Sequence, residues 1–102
     1  MALMQITVIP VGTATPSVGE FVARVQKVIA AEGLAYELQD MGTVIEGEAA
    51  ELFRIAAKVH EMPFAKGAER VVTQIIVDDR RDRRVGIGDK VKSVRERLGI
   101  TG

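Results

Sequence analysis

The order of strand-like and helix-like patterns predicts an α+β fold, a ferredoxin-like βαββαβ sandwich with a four-stranded antiparallel sheet and an extra C-terminal helix. Two stretches with helical apolar spacing separate the stretches that alternate as strands do. The chain has 102 residues, which is the size of one ordinary domain. We therefore expect a single domain over residues 1–102, and connections of these lengths leave few other topologies.

The first strand and the first helix are predicted near the start of the chain. The strand lies in MALMQITVIP, where every second residue from Met4 to Val8 is apolar and Pro10 stands at the exit. After the turn-rich segment GTATPS, Ser17 and Glu20 match a capping box. The apolar helical stripe that follows runs to about residue 32, just before a glycine that suits a helix end.

The middle of the chain predicts a hairpin followed by a second helix. LAYELQDMGTVIEG alternates as two strands, with a bend formed by Asp40, Met41 and Gly42. The second helix is expected to begin near Glu48, where an acidic first turn suits the helix dipole. Pro63 is expected either to kink this helix or to open a new turn.

The C-terminal third predicts the fourth strand, a charged loop and a short helix. ERVVTQIIVDD is rich in β-branched residues and apolar on both faces, although a sheet in a lone small domain usually leaves one face in water. The second face is therefore expected to be covered. After the loop DDRRDRRVGIG, Asp89 is expected to cap a last helix that carries Val91, Val94 and Leu98.

The composition excludes several classes of function. Lys+Arg and Asp+Glu both total 14, and a formal charge of zero argues against a general binder of polyanions. The absence of cysteine excludes a disulfide framework. Of the three Phe and one Tyr only Tyr36 falls on a predicted strand, which does not suit RNA stacking on a sheet. We expect a cytoplasmic domain without nucleic-acid or membrane partners.

Two charged features are interpreted as parts of the surface. The arginines of residues 80–84 could bind phosphate or sulfate, but neighbouring aspartates neutralise them and exposed ion pairs are individually weak. His60, the only histidine, has neither a partner that would orient it as a base nor companions at metal-ligand spacing. We therefore expect no catalytic residue and no metal site.

The segment QDMGTVIEG, residues 39–47, is the strongest candidate for the wall of a site. Gly42 and Gly47 are explained by a turn and a strand exit, but glycine also lets a ligand approach the backbone. Thr43 offers a hydroxyl, and Glu46 offers an acceptor or a counter-charge for a cation. The spacing alone leaves both interpretations open.

Three segments, IPVGTATPSVGEFVA, YELQDMGTVIEGE and RVVTQIIVDDRRD, together resemble the small thiamine-binding protein family, formerly an uncharacterised protein family. The resemblance covers nearly the whole chain. It implies a ferredoxin-like fold, a homotetramer whose sheets pack on each other, and non-catalytic binding of thiamine or its hydroxymethyl-pyrimidine moiety, with no cofactor. The chain departs from the family pattern at HEMPFAKG and VGIGDKVKSV, which bears on local geometry and assembly more than on the ligand.

The chemistry of thiamine suggests which residues would bind it. An aminopyrimidine joined to a permanently cationic thiazolium needs an apolar wall, a few hydrogen-bonding groups and a carboxylate near the cation. The candidates, chosen by chemistry and position, are Gln5, Thr7, Tyr36, Met41, Thr43, Glu46 and Phe64. Their pocket is expected where the strands meet the second helix, with Glu46 facing the thiazolium.

Two other functions stay open. The chain could be a regulatory or structural oligomerisation module without a thiamine ligand. It could also be a small enzyme with Glu46 or Asp40 as a base, although no nucleophile, metal cluster or partnered base is visible in the sequence. A ligand that binds and is recovered unchanged would favour the binding protein.

Overall fold

The computed structural model describes residues 1–12 and 19–100. Its elements follow the predicted order and are β1 (Ala2–Pro10), α1 (Gly19–Ala31), β2 (Tyr36–Gln39), β3 (Gly42–Gly47), α2 (Ala49–Ala65), β4 (Val71–Asp79) and α3 (Asp89–Arg97). The predicted cap at Ser17 lies outside the described residues. None of the helices in this part of the chain is long and apolar enough to cross a membrane.

The four strands form one antiparallel sheet in the order β2-β3-β1-β4. β1 pairs with β4 along its whole length, from Ala2 to Pro10, but with β3 only from Ala2 to Ile6. Residues 7–10 therefore have a strand partner on one side only. This order is the ferredoxin-like arrangement, so the predicted fold is confirmed.

The core lies between the sheet and the two helices α1 and α2. Alternate residues of β1 and β3 point to this side, because successive side chains in a strand face opposite ways. Their burial supplies the main favourable free energy of folding, about 25 cal/mol per Å² of apolar surface. The buried cluster consists of Ala2, Met4, Ile6, Val25, Ile29, Ile45, Leu52, Ile55, Ala56 and Val59.

Two predicted boundaries change. Gly42 belongs to β3, where it pairs with Gln39, so the hairpin turn contains only Asp40 and Met41. α2 continues through Pro63 to Ala65, and no new turn opens there. Because proline stands in the last turn of the helix, it removes little of the hydrogen-bond ladder. Its own carbonyl accepts from the amides of residues 66 and 68, which closes the helix end.

The predicted cap of α3 also changes. The residue before the helix is Gly88, which supplies no side-chain cap, and Asp89 is the first helical residue. Its Oδ2 instead accepts a hydrogen bond from the Gly86 amide at 2.7 Å. The carboxylate therefore ties the preceding loop to the helix rather than capping the helix end.

The sheet face opposite α1 and α2, here called the open face, is partly apolar. It carries the odd-numbered residues of β1 and their partners, because directly paired residues share a face. Ile76 on this face is 66% exposed. In the described part of the chain, no Cα of α3 lies within 8 Å of a Cα of another helix or strand. The apolar side chains of α3, Val91, Val94 and Leu98, are all more than half exposed.

Candidate functional site

A cavity of about 300 Å³ lies beside the hairpin, where β1 extends past β3. We call it the hairpin cavity. Most of its wall is apolar and comes from β1, the hairpin and the first half of α1, including Val8, Phe21, Val22, Val25 and Met41. Thr7, Gln26, Gln39, Asp40 and Thr43 add polar groups.

One pair of polar side chains crosses the cavity wall from helix to sheet. Thr43 is only 4% exposed, and its hydroxyl accepts a hydrogen bond from Nε2 of Gln26 at 3.0 Å. The other amide atom, Oε1 of Gln26, is buried and has no hydrogen-bond partner in the structure as described. A buried acceptor without a partner is unusual in a folded protein, so Gln26 is the most conspicuous polar group here.

Sequence reasoning missed Gln26, although it left a signal. The apolar stripe of the first helix contains Val22, Val25 and Ile29, and Gln26 falls at the four-residue step after Val22. A polar residue at such a position faces the sheet rather than water. An interruption of this kind is worth testing as a binding group.

Thr7 joins the hairpin to the central strand. Its hydroxyl donates a hydrogen bond to the carbonyl oxygen of Met41 at 2.8 Å. Gly42 lies directly beside this bond with φ of +151°, and a Cβ at that position would stand 2.7 Å from Oγ1 of Thr7. The glycine therefore allows both the backbone conformation and the close approach of β1.

The seven predicted ligand-binding residues do not lie together. Thr7, Met41 and Thr43 line the hairpin cavity, whereas Gln5 lines a second cavity on the open face. The lining of neither cavity includes Tyr36, Glu46 or Phe64.

The position of the hairpin cavity differs from the expected one. It lies mainly against α1, not where the strands meet α2, and Val59 is the residue that α2 contributes. The reason is the layering, because α1 adjoins β2 while α2 packs on β1, β3 and β4.

The second cavity, here called the open-face cleft, has a volume of about 810 Å³ and separates the sheet from α3. Its walls include Leu3, Gln5 and Val44 on the sheet, and Ile87 and Val91 on the other side. Both kinds of charge are present, with Lys90, Lys92, Arg95, Glu37 and Glu96 in the lining. The mixed charge gives this cleft no clear preference for a cation or an anion.

Glu46 holds the loop that leads into α3. Its Oε1 accepts a hydrogen bond from the Ile87 amide at 2.8 Å, across 41 residues of sequence. A Cβ on Gly86 would stand 2.7 Å from the same oxygen, so the loop backbone lies directly against the carboxylate. Glu46 therefore has a structural partner that the sequence did not reveal.

The arginine-rich loop contains the ion pairs that its alternating charges predict. Arg80 donates to Asp82 at 2.6 and 2.9 Å, and Arg81 donates to Asp79 at 2.8 Å. The bond from Arg81 lowers the pKa of Asp79, and the bond from Arg80 lowers the pKa of Asp82 to about 2. Two of the arginines are thus partnered within the loop.

We expect the Asp82 carboxyl to titrate near pH 2, below its ordinary pKa of 3.8. Because the folded pKa is the lower one, the pair stabilises the folded state above the ordinary value and is lost as the pH falls through about 2. Carboxyl ¹³C NMR measures the midpoint, which should rise towards the ordinary value in Arg80→Gln. A wild-type midpoint near 4 would contradict the pairing.

His60 is placed between the second helix and the fourth strand. Its Nδ1 lies 2.7 Å from Oγ1 of Thr73, and its ring meets the edge of Phe64 at 5.5 Å. Over residues 1–12 and 19–100, no group of three or more His, Asp or Glu side chains could hold a metal ion. Phe64 thus packs on the histidine ring.

The fold and its cavities define a class of protein: a ferredoxin-like α+β domain with a cavity of small-molecule size between its hairpin and first helix. The chain belongs to the thiamine-binding protein family, which it matches over residues 4–95. The resemblance noted in the sequence is therefore confirmed at the level of the family.

Curated relatives agree with this placement, and solved structures agree with the fold. The UPF0045 protein YqgV of Bacillus subtilis is 47% identical over 102 residues, covering 96% of this chain and 98% of the relative. A UPF0045 protein of Methanothermobacter thermautotrophicus is 37% identical, covering 96% of this chain and 100% of the relative.

Among solved structures, a hypothetical protein from Methanocaldococcus jannaschii superposes with a TM-score of 0.81 at 28% identity, covering 93% of this chain and 96% of the other. A Thermotoga maritima protein, named for a suspected role in thiamine biosynthesis or salvage, has the same fold. Its TM-score is 0.76 at 24% identity, covering 92% of this chain and 98% of the other.

Proposed function

We propose that this protein binds thiamine, or its hydroxymethyl-pyrimidine moiety, in the hairpin cavity without catalysing a reaction. The observation that carries the proposal is the cavity itself, in a chain that belongs to the thiamine-binding family. A cavity of about 300 Å³ with an apolar wall and a few convergent polar groups is typical of a site for a small organic ligand.

The lining suits the two halves of thiamine. Val22, Val25 and Met41 provide apolar surface for a flat pyrimidine ring, and Thr43 provides a hydroxyl. The carboxylate of Asp40, at the hairpin turn, also lines the cavity and would attract a thiazolium cation. Asp40 therefore takes the role first predicted for Glu46, whose carboxylate accepts from the Ile87 amide.

The proposal includes self-association as a homotetramer through the open face. The exposed Ile76, Val72 and Ile9 on that face support it, since large apolar side chains exposed together on one face are typical of protein interfaces. A tetramer would have four times the chain mass of 11.0 kDa, which sedimentation equilibrium measures directly. A monomer at micromolar concentration would contradict this part of the proposal.

Calorimetric titration with thiamine, and then with the hydroxymethyl-pyrimidine, tests the binding. We expect saturable micromolar affinity, about −8 kcal/mol, and recovery of the ligand unchanged. Val22→Phe should weaken binding at least about tenfold, because the larger ring occupies the cavity. Ala23→Phe is the matched control, since Ala23 is exposed on the same helix and absent from the cavity wall.

Two outcomes would count against the proposal. A flat titration of well-folded wild-type protein would favour the alternative, a structural or regulatory oligomerisation module without this ligand. Equal affinities of Val22→Phe and wild type would show that the ligand binds elsewhere, with the open-face cleft as the next site to test.

A further inference from the structure

The unsatisfied oxygen of Gln26 indicates a chemical feature that a ligand of the hairpin cavity should have. Gln26 lines the hairpin cavity, its Oε1 is buried, and nothing in the described chain donates to that oxygen. A buried acceptor without a donor costs free energy, which a hydrogen-bonding ligand would recover. A group that binds here should therefore carry an N–H or O–H donor.

The partner of Gln26 adds a second recognition point. Nε2 of Gln26 donates to the Thr43 hydroxyl, which fixes the amide against the sheet. A hydroxyl that accepts one hydrogen bond still has its proton to donate. The pair therefore contains one unused acceptor, Oε1, and one donor, the Thr43 hydroxyl, on two residues that line a single cavity.

We propose that Gln26 determines specificity in the hairpin cavity by accepting a hydrogen bond from the exocyclic amino group of an aminopyrimidine. The Thr43 hydroxyl, held by Gln26, donates to the adjacent ring nitrogen. An aminopyrimidine presents this donor and acceptor side by side, so the pattern of the ligand complements that of the protein. The inference rests on the proposed function and adds the residue that selects the amino group.

A thermodynamic cycle between protein and ligand isolates this one contact. The ligands are 4-amino-5-hydroxymethyl-2-methylpyrimidine and the same compound with hydrogen in place of the amino group. Wild type should prefer the amino compound at least about tenfold, because a site built to hydrogen-bond a group rejects the analogue that lacks it. In Gln26→Met, which keeps the length but removes both polar atoms, the preference should fall to about twofold or less.

Two variants control the experiment. Lys27→Met places a methionine at the next, exposed position of α1, outside both cavity walls, and should keep the wild-type preference. Gln26→Glu keeps an oxygen acceptor and should also keep the preference for the amino compound. Loss of the preference in Gln26→Met with its retention in Gln26→Glu would separate hydrogen bonding from a merely structural effect.

The outcomes distinguish the two proposals. Binding of both pyrimidines by Gln26→Met with the wild-type preference would overturn the role of Gln26 but leave the proposed function intact. Failure of wild type to bind either pyrimidine or thiamine would overturn both. If Gln26→Met does not fold, the role of Gln26 is tested by NMR of its side-chain amide in the wild type. Equal chemical-shift changes with both pyrimidines would overturn the assignment. A larger change with the amino compound would support it.

Discussion

Replacing Gly42 with alanine should destabilise the fold by about 3 kcal/mol and weaken binding in the hairpin cavity. The backbone at Gly42 has φ of +151°, which residues with a Cβ rarely adopt. The added carbon would also stand 2.7 Å from Oγ1 of Thr7 and 3.0 Å from the carbonyl oxygen of Ile6. Thr7 can rotate away only by giving up its bond to Met41, whereas the Ile6 carbonyl belongs to the central strand.

Gly33→Ala is the matched control for this prediction. Gly33 also has a positive φ, +75°, but a Cβ there would meet nothing within 4 Å. It should therefore show only the conformational cost, about 1 kcal/mol. Urea unfolding measures both variants. Equal losses would show that the contact with β1 adds nothing beyond the backbone conformation.

Replacing Glu46 with alanine should release the loop before α3. The carboxylate accepts from the Ile87 amide, and a charged hydrogen bond of this kind is worth about 2 kcal/mol. No Cα of α3 lies within 8 Å of another helix or strand, so the described links between α3 and the sheet are this loop and the ion pair of Lys90 with Asp78 on β4. Hydrogen exchange at the Ile87 amide should therefore accelerate at least about tenfold in Glu46→Ala, corresponding to a loss of about 1.4 kcal/mol.

Two controls make the Glu46 result specific. Glu37→Ala removes an exposed carboxylate from the neighbouring strand on the same face, and should leave the Ile87 amide protected. Glu46→Gln keeps an oxygen acceptor, so it should lose much less protection than alanine.

The alternating apolar pattern predicts the strands because successive side chains of a strand point to opposite faces of the sheet. The alternation in β1 identifies Met4 and Ile6 as core residues, and the structure buries both. The same period of two also predicts that two of the candidate ligand-binding residues lie on different faces of the sheet. Thr43 and Glu46 are three residues apart in one strand, so their side chains face opposite sides of the sheet. The chemistry of thiamine, taken without this period, places both residues in one binding site.

The contacts that position Gln26 and Glu46 are non-local, which limits what the sequence reveals. Gln26 and Thr43 are 17 residues apart, and Glu46 and Ile87 are 41 residues apart. No spacing rule within one helix or strand relates such positions. The ion pairs of the arginine-rich loop were predictable for the opposite reason, since their partners are two residues apart.

Because β2 is short, ligand binding in the hairpin cavity is expected to be linked to local unfolding of the hairpin. All four residues of this edge strand are exposed, and it pairs with β3 alone in the sheet. An edge of this kind is expected to open by local unfolding at a lower free energy than the core. Because the hairpin forms part of the cavity wall, a ligand that binds only the closed form draws on the same equilibrium. Affinity for the ligand and the stability of the hairpin are then two measurements of one linked process.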